Sequence, residues 1–295
     1  MIRVSTACVL AGLLLLAAPA DAGIFGSRPP AASAKSADAA VALVQQALDE
    51  QRLLDADRFL SQAALAGMKD SRLSLLDGEL GLMRGHYSDA LAPLQEAKKT
   101  PATAARALQD EGVALSLLSR SEEAMKSLQE AVAMDASLWR AWNALGAEYD
   151  ARSRWGDAEA AYDKALAASG DQPIVLNNRG YSRLLQRRRD AAIADLVAAL
   201  RKRPDFTEAR TNLRLALAIG GEYDRAVAGG SSADQAALLN NAGFAAAMRG
   251  DYASAEHLLG QAIKAKGEYY TKASSNLRIV QALAADAKRT TNAAP

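Results

Sequence analysis

The chain has 295 residues, and 35 Lys and Arg face 34 Asp and Glu for a net charge of +1. Half of it is hydrophobic, yet only 5% is aromatic, and it holds 8 prolines and a single cysteine. This Ala- and Leu-rich composition favours helix. It excludes collagenous, low-complexity and disulfide-stapled classes, and the balanced charge argues against a nucleic-acid-binding surface.

The first 22 residues read as an export signal. Arg3 gives one positive charge, Cys8 to Ala18 is apolar with Leu13 to Leu16 as its densest part, and Ala20-Asp21-Ala22 matches an A-x-A cleavage site. The apolar run falls short of the about 20 residues a membrane span needs. Cleavage after Ala22 is expected; the alternative is an uncleaved anchor. Cys8 precedes the densest apolar part, so no lipid attachment is expected, and cleavage leaves a chain without cysteine. Residues 23–36, rich in Gly, Pro and Ser, form a flexible linker.

From residue 37 to 287 a 34-residue period governs the sequence. Trp142-x-x-Leu145-Gly146-x-x-Tyr149 is followed by Ala158-x-x-x-Tyr162 and Ala165. Steps of 34 from Ala158 land on Ala56, Ala90, Ala124, Ala192 and Ala226. A second column holds Leu60, Leu94, Leu128, Tyr162 and Leu196; a third holds Ala63, Ala97, Ala131, Ala165 and Ala199. Gly78, Gly112, Gly146 and Gly180 form a fourth. Each period is read as two antiparallel helices, A and B. The small residues belong where A and B approach most closely, and the Leu and Tyr column is expected to fill the space between neighbouring units. Tyr87, Trp155, Tyr223 and Tyr252 should mark the start of helix B, and Gly85, Gly221 and Gly250 the A–B turns. Helices of this length are marginal alone, so their stability must come from stacking.

The period breaks once. Residues 227–235 include Gly229 and Gly230, and the next phased alanine, Ala255, comes only 29 residues after Ala226. Helix B of that unit should be truncated. A final helix over about Tyr270 to Ala285 caps the array, and residues 288–295 read as a disordered tail.

This pattern resembles the tetratricopeptide repeat (TPR) over nearly all of Ala37 to Ala285. The resemblance implies an all-α solenoid, a right-handed superhelix of about seven helix pairs plus a capping helix, with the A helices lining a concave groove. Leu176-Asn177-Asn178-Arg179-Gly180-Tyr181 and Leu239-Asn240-Asn241-Ala242-Gly243-Phe244 further resemble the TadD-like group of Tad/Flp pilus assembly proteins. Members of that group are often lipoproteins acting with outer-membrane pilus components.

Catalytic chemistry finds no support. His86 and His257 fall in different units without ligand-type neighbours, so both read as solvated and no metal site is expected. Gly229-Gly230-Ser231-Ser232 lacks the lysine and the strand of a phosphate loop. Asp110 and Glu111 read as part of a solvated helix face. The basic runs Arg187-Arg188-Arg189 and Arg201-Lys202-Arg203 are either solvated edges or contacts for an acidic partner or anionic headgroups.

The A helices carry a phased series of amides: Asn143, Asn177, Asn178, Asn212, Asn240 and Asn241, with Asn276 near the same phase. An amide both donates and accepts, so such a row can hold the backbone of a bound segment. At ~0.5–1.5 kcal/mol per bond, four amides give only weak binding. Tyr181, Leu215 and Phe244, three residues beyond the amides, are the candidate apolar anchors. Alternatively the amides bond to the neighbouring helix. The expected function is a non-enzymatic periplasmic adaptor without cofactor. It would hold a protein or peptide partner in the groove, bind no nucleic acid, span no membrane and serve Tad/Flp pilus biogenesis, with peripheral contact to envelope complexes. The alternative is a general envelope-maintenance scaffold contacting cell-wall enzymes or outer-membrane assembly factors.

Overall fold

The computed structural model describes residues 36–266 and 270–292. The expected signal (1–22) and all but the last residue of the expected linker (23–36) lie outside them. Ser36 caps the first helix, its Oγ accepting from the Ala39 N–H at 3.2 Å, which satisfies a donor the helix start leaves over.

Among the described residues there are fifteen α-helices and no strand. In chain order, A and B members alternate: α1 (Ala37–Asp49) and α2 (Leu53–Leu65), α3 (Ser71–Arg84) and α4 (Tyr87–Ala97), α5 (Pro101–Leu117) and α6 (Ser121–Met134), α7 (Trp139–Ala151) and α8 (Trp155–Ser169). They are followed by α9 (Pro173–Leu185) and α10 (Arg189–Lys202), α11 (Thr207–Ile219) and α12 (Tyr223–Val227), α13 (Ser232–Met248) and α14 (Tyr252–Lys266), and last α15 (Thr271–Asn292). The chain divides into two compact units, the boundary falling inside α9 between Ser182 and Arg183. No helix of the described residues is long and apolar enough to cross a membrane.

The B helices begin where the aromatic column places them: Tyr87, Trp155, Tyr223 and Tyr252 are each the first residue of their helix. The preceding turn repeats with the period. Gln51, Gly85, Ser119, Ser153, Arg187 and Gly221 all have positive φ, between 56° and 84°, and Gly250 follows at 79°. In each, the next residue's N–H reaches the carbonyl five residues back, as in His86 to Gly81 (2.8 Å), Arg120 to Leu115 (2.8 Å) and Arg154 to Tyr149 (2.9 Å). This is the Schellman closure, which needs a left-handed residue. Three of the seven positions hold the glycines the sequence singles out; the other four hold side chains in a backbone region that disfavours them.

Packing follows the columns, with one addition. Ala90, Ala124, Ala158, Ala192 and Ala255 are buried, as are Ala97, Ala131, Ala165 and Ala199. Leu94, Leu128 and Tyr162 of the Leu and Tyr column, and Leu259 in the same register, pack inside their own helix pair, against the glycine column of the partner helix. A methyl group on Gly78 would stand 2.4 Å from the Leu94 side chain; on Gly112, 2.5 Å from Leu128; on Gly146, 2.6 Å from the Tyr162 ring; and on Gly243, 2.8 Å from Leu259. The glycine is the socket for the large residue 16 positions later, so the two columns are a matched pair.

Unit 1 also buries carboxylates, and here the expectation of a solvated face for Asp110 and Glu111 fails. Helix α5 is buried without a break from Ala107 to Ser116 because α3, α4, α6 and α7 all pack on it. Glu111 accepts from Lys98 Nζ (2.7 Å) and Ser127 Oγ (2.8 Å). Glu148 accepts from Ser116 Oγ (2.7 Å), Ser121 Oγ and Arg152 (2.8 Å). Asp150 accepts from Tyr162 Oη (2.9 Å) and Ser182 Oγ (2.7 Å). Ser116–Glu148 and Asp150–Ser182 join equivalent positions of successive A helices with acid and hydroxyl exchanged. The same cross-helix bond is therefore built twice with opposite polarity.

Unit 2 shows the expected break. Helix α12 has five residues, the chain is non-helical from Ala228 to Ser231, and Ser231 caps α13 by accepting from the Asp234 N–H. The interruption is shorter than residues 227–235, because α13 already starts at Ser232. The closing helix exceeds its expected end near Ala285: α15 runs to Asn292, so residues 288–292, read from sequence as tail, are helical.

Candidate functional site

The amides fall on the A helices as the phase requires, and most bond to one another. In unit 1, Asn178 Nδ2 on α9 donates to Asn143 Oδ1 on α7 at 3.1 Å, and Asn177 Nδ2 donates to Asn178 Oδ1 at 3.2 Å. All three residues are buried. In unit 2, Asn276 Nδ2 on α15 donates to Asn240 Oδ1 on α13 at 3.0 Å, and Asn240 Nδ2 to Asn241 Oδ1 at 3.3 Å. Asn240 is buried and Asn241 exposed, while Asn212 and Tyr181 are half-buried. Buried polar groups left unbonded are costly, so these amides satisfy each other across neighbouring A helices.

The apolar anchors of unit 2 are open. Leu215 is 40% exposed and Phe244 48%. Sequence reading did not single out the two residues that extend them: Ile219 is 41% exposed and Met248 63%. Each lies four residues after its companion, one helical turn along the same face. The two pairs are 29 residues apart, the local repeat spacing, and α11 packs against α13. Two A helices thus present matching apolar pairs, with Asn241 one turn before Phe244.

Unit 1 holds a different arrangement. A cavity of about 370 Å³ is bounded by α1, α3, α5 and α7. Leu48, Leu82, Met83, Val113 and Trp139 give it apolar wall; Asp49, Glu79, Arg106, Gln109, Asp110, Arg140 and Asn143 give it polar wall. Glu79 pairs with Arg106, and the Arg140 guanidinium lies 4.9 Å from the Trp139 ring. Asp110 is only 6% exposed. Its Oδ1 accepts from Gln109 Nε2 at 3.0 Å, and its Oδ2 has no hydrogen-bond partner in the protein. Burial, reinforced by the neighbouring Glu79 charge, pushes its carboxyl up to about 7. Glu79 is also raised, first by burial, against the pull of Arg106. The phase that gave the amides leads here: one step of 34 back from Asn143 is Gln109, and two steps back from Asn178 is Asp110.

Both histidines are exposed, His86 at the start of α4 and His257 on α14 beside Gln261. Of the basic runs, Arg189 pairs with Asp190 and Glu222, and Arg203 stacks 3.5 Å from the Phe206 ring.

No protein-family model matches the sequence, and no curated protein matches it. Solved structures do. A tetratricopeptide repeat protein from Parabacteroides merdae superposes with a TM-score of 0.53 at 14% identity, over 83% of this chain and 98% of that one. Pseudomonas aeruginosa PilF gives 0.55 at 19% identity, over 72% and 96% of the two chains. A thermophilic TPR protein of Thermus thermophilus gives 0.53 at 20%, over 61% and 98%. The chain has the TPR fold.

Proposed function

We propose that this chain is a non-enzymatic adaptor of the bacterial envelope, exported to the periplasm. Its A-helix faces hold a polypeptide segment of a partner in Tad/Flp-type pilus assembly. The observation that carries the binding role is the exposed set Leu215, Ile219, Phe244 and Met248. A repeat array that needs its apolar residues for stacking nonetheless leaves four of them in water on one face of α11 and α13. Such sets, rimmed by polar groups, mark protein contacts. Export is supported by the signal-like residues 1–22, and the pilus setting by the two Leu-Asn-Asn-x-Gly-aromatic stretches.

Burying the rest of a half-exposed Leu or Phe contributes about 1 kcal/mol. Leu215→Ser with Phe244→Ser should therefore cost about 2 kcal/mol, or roughly thirtyfold in affinity. The test is site-specific photo-crosslinking from position 248 in cells, with mass-spectrometric identification of the adduct. A pilus-assembly component captured by the parent chain and lost in the double variant supports the reading. Capture of cell-wall enzymes instead would move the protein to general envelope maintenance. Absence of any adduct dependent on Leu215 and Phe244 would remove the binding face itself.

A further inference from the structure

We propose that the unit 1 cavity receives one basic side chain, a lysine or arginine, from the bound polypeptide. Its methylenes would lie along Leu82, Met83, Val113 and Trp139, and its cationic head against the Asp110 carboxyl. The proposal rests on the reading of the chain as a polypeptide-binding adaptor and specifies the chemistry of the partner.

Three observations support it. The first is the orphan acceptor: Asp110 is almost wholly buried and lines the cavity, yet Oδ2 accepts from nothing in the protein. A buried carboxyl oxygen without a donor is costly, and the group that relieves it must be a hydrogen-bond donor, most strongly a charged one. The second is the division of the walls. An apolar side beside a carboxyl end suits a long amphipathic side chain, which buries its stem and pairs its head. A volume of about 370 Å³ accommodates one such chain. The third is the state of the cations already present. Arg106 is engaged with Glu79 and Arg140 with Trp139, so neither supplies Asp110. An anionic ligand would meet Asp49, Glu79 and Asp110 in the same lining.

The charged groups acting on Asp110 are Glu79 from α3, Arg106 from its own helix and Arg140 from α7, with Asp49 of α1 beyond Glu79 in the same lining. Burial and Glu79 favour the protonated carboxyl before binding. A cation beside the carboxyl favours the carboxylate, so binding at pH 6 should release close to one proton. With the carboxyl titrating at about 7, affinity should rise about tenfold between pH 6 and pH 8. An anion would show the opposite slope.

The probe is Nα-acetyl-lysine amide, with Nα-acetyl-norleucine amide as its uncharged counterpart. Both are titrated at millimolar concentration into ¹⁵N-labelled protein at pH 6 and pH 8, and the Trp139 indole N–H, assigned from Trp139→Phe, is followed. The expected result is a saturable shift with the lysine compound, at least tenfold tighter than with norleucine and tighter at pH 8. Asp110→Asn, which keeps size and shape, should weaken lysine binding at pH 8 at least tenfold and abolish the pH step. Glu79→Gln should weaken it less. Equal binding of the two compounds, an unaffected Asp110→Asn variant, affinity falling with pH or no saturable shift would each overturn the proposal. Phe244→Ser in unit 2 should leave the titration unchanged while reducing partner crosslinking. Intact crosslinking with a failed titration therefore sinks the cavity alone, and the reverse sinks the adaptor reading.

Discussion

The turn column offers a direct test of what the repeat demands of its backbone. Ser119 and Ser153 hold φ of 60° and 56° at the point where the chain passes from helix A to helix B. Both side chains are exposed. A left-handed residue with a Cβ costs about 1–2 kcal/mol relative to one without. Glycine returns about 0.5–1 kcal/mol of that through the greater freedom of its unfolded chain. Ser119→Gly and Ser153→Gly should therefore each stabilise by about 0.5–1 kcal/mol. The sites lie a full repeat apart and share no partner, so the double variant should gain the sum, about 1–2 kcal/mol. The converse change is equally clean at Gly250, where φ is 79° and a methyl group would meet nothing within 4 Å. Gly250→Ala should cost about 1 kcal/mol with no packing contribution. Urea unfolding followed by circular dichroism reads all three, with Ser88→Gly, inside α4, as the control expected to lose about 0.5–1 kcal/mol. If the turn glycines destabilise as the helical one does, the left-handed turn is not the state the protein adopts, and the regular A–B geometry drawn from it is wrong.

Two further predictions concern packing and buried charge. Gly146→Ala places a methyl 2.6 Å from the ring of Tyr162, which cannot retreat because its hydroxyl is held by Asp150. Thermal melts should show a loss of about 1–3 kcal/mol, the usual cost of overpacking, and Tyr162→Leu in the same chain should recover part of it. Stability should also depend on pH. Burial pushes Asp150 up to about 6, against the pull of its bonds from Ser182 and Tyr162, and Asp110 up to about 7. A carboxyl whose pKa is higher folded than unfolded contributes stability that is complete below its unfolded value near 4 and is lost as pH rises through 6 to 7. Unfolding free energy should thus fall from pH 5 to pH 8 by roughly 2.5 kcal/mol for Asp110 alone, and Asp110→Asn should flatten the part of the profile above pH 6.

Much of the helical frame was legible because close approach restricts residue choice. Where α5 meets α6, or α7 meets α8, only Ala or Gly fits, and a column of small residues survives any change around it. The truncated α12 was legible for the converse reason: two glycines and a shortened step cannot sustain a helix. The partner of the Leu and Tyr column was not. Periodicity places Leu128 and Gly112 in fixed columns, but only coordinates reveal that one fills the other. Nor did composition disclose the left-handed conformation of Gln51 and Arg187, since nothing in such residues announces it. The burial of Asp110 escaped because a carboxylate on a polar-looking helix is usually solvated. Helix α5 is the exception, being covered by four others, and counting back from Asn178 would have placed Asp110 on the same face as the amides.

The amides themselves separate into two kinds, and the difference is measurable. Asn178 is buried, and its Nδ2 is the donor to Asn143 Oδ1. Asn178→Ala removes that donor, leaves a buried acceptor on α7 and opens a small space, so it should cost about 1–3 kcal/mol. Because this bond joins α9 to α7, the loss should appear in the unfolding of unit 1. Asn241 is exposed, and it engages the protein through one long bond from Asn240, at 3.3 Å. Asn241→Ala should change stability by no more than about 0.5 kcal/mol. On binding the order reverses. An amide already closed on its neighbour has little to offer a ligand, whereas the exposed Asn241 stands one turn before Phe244 with its side chain open to solvent. Partner crosslinking from position 248 should fall in Asn241→Ala and hold in Asn178→Ala once the latter is assayed below its unfolding midpoint. If both variants lose stability equally and neither loses partner, the amide series is wholly a device for holding A helices together, and binding on α11 and α13 depends on the four apolar side chains alone.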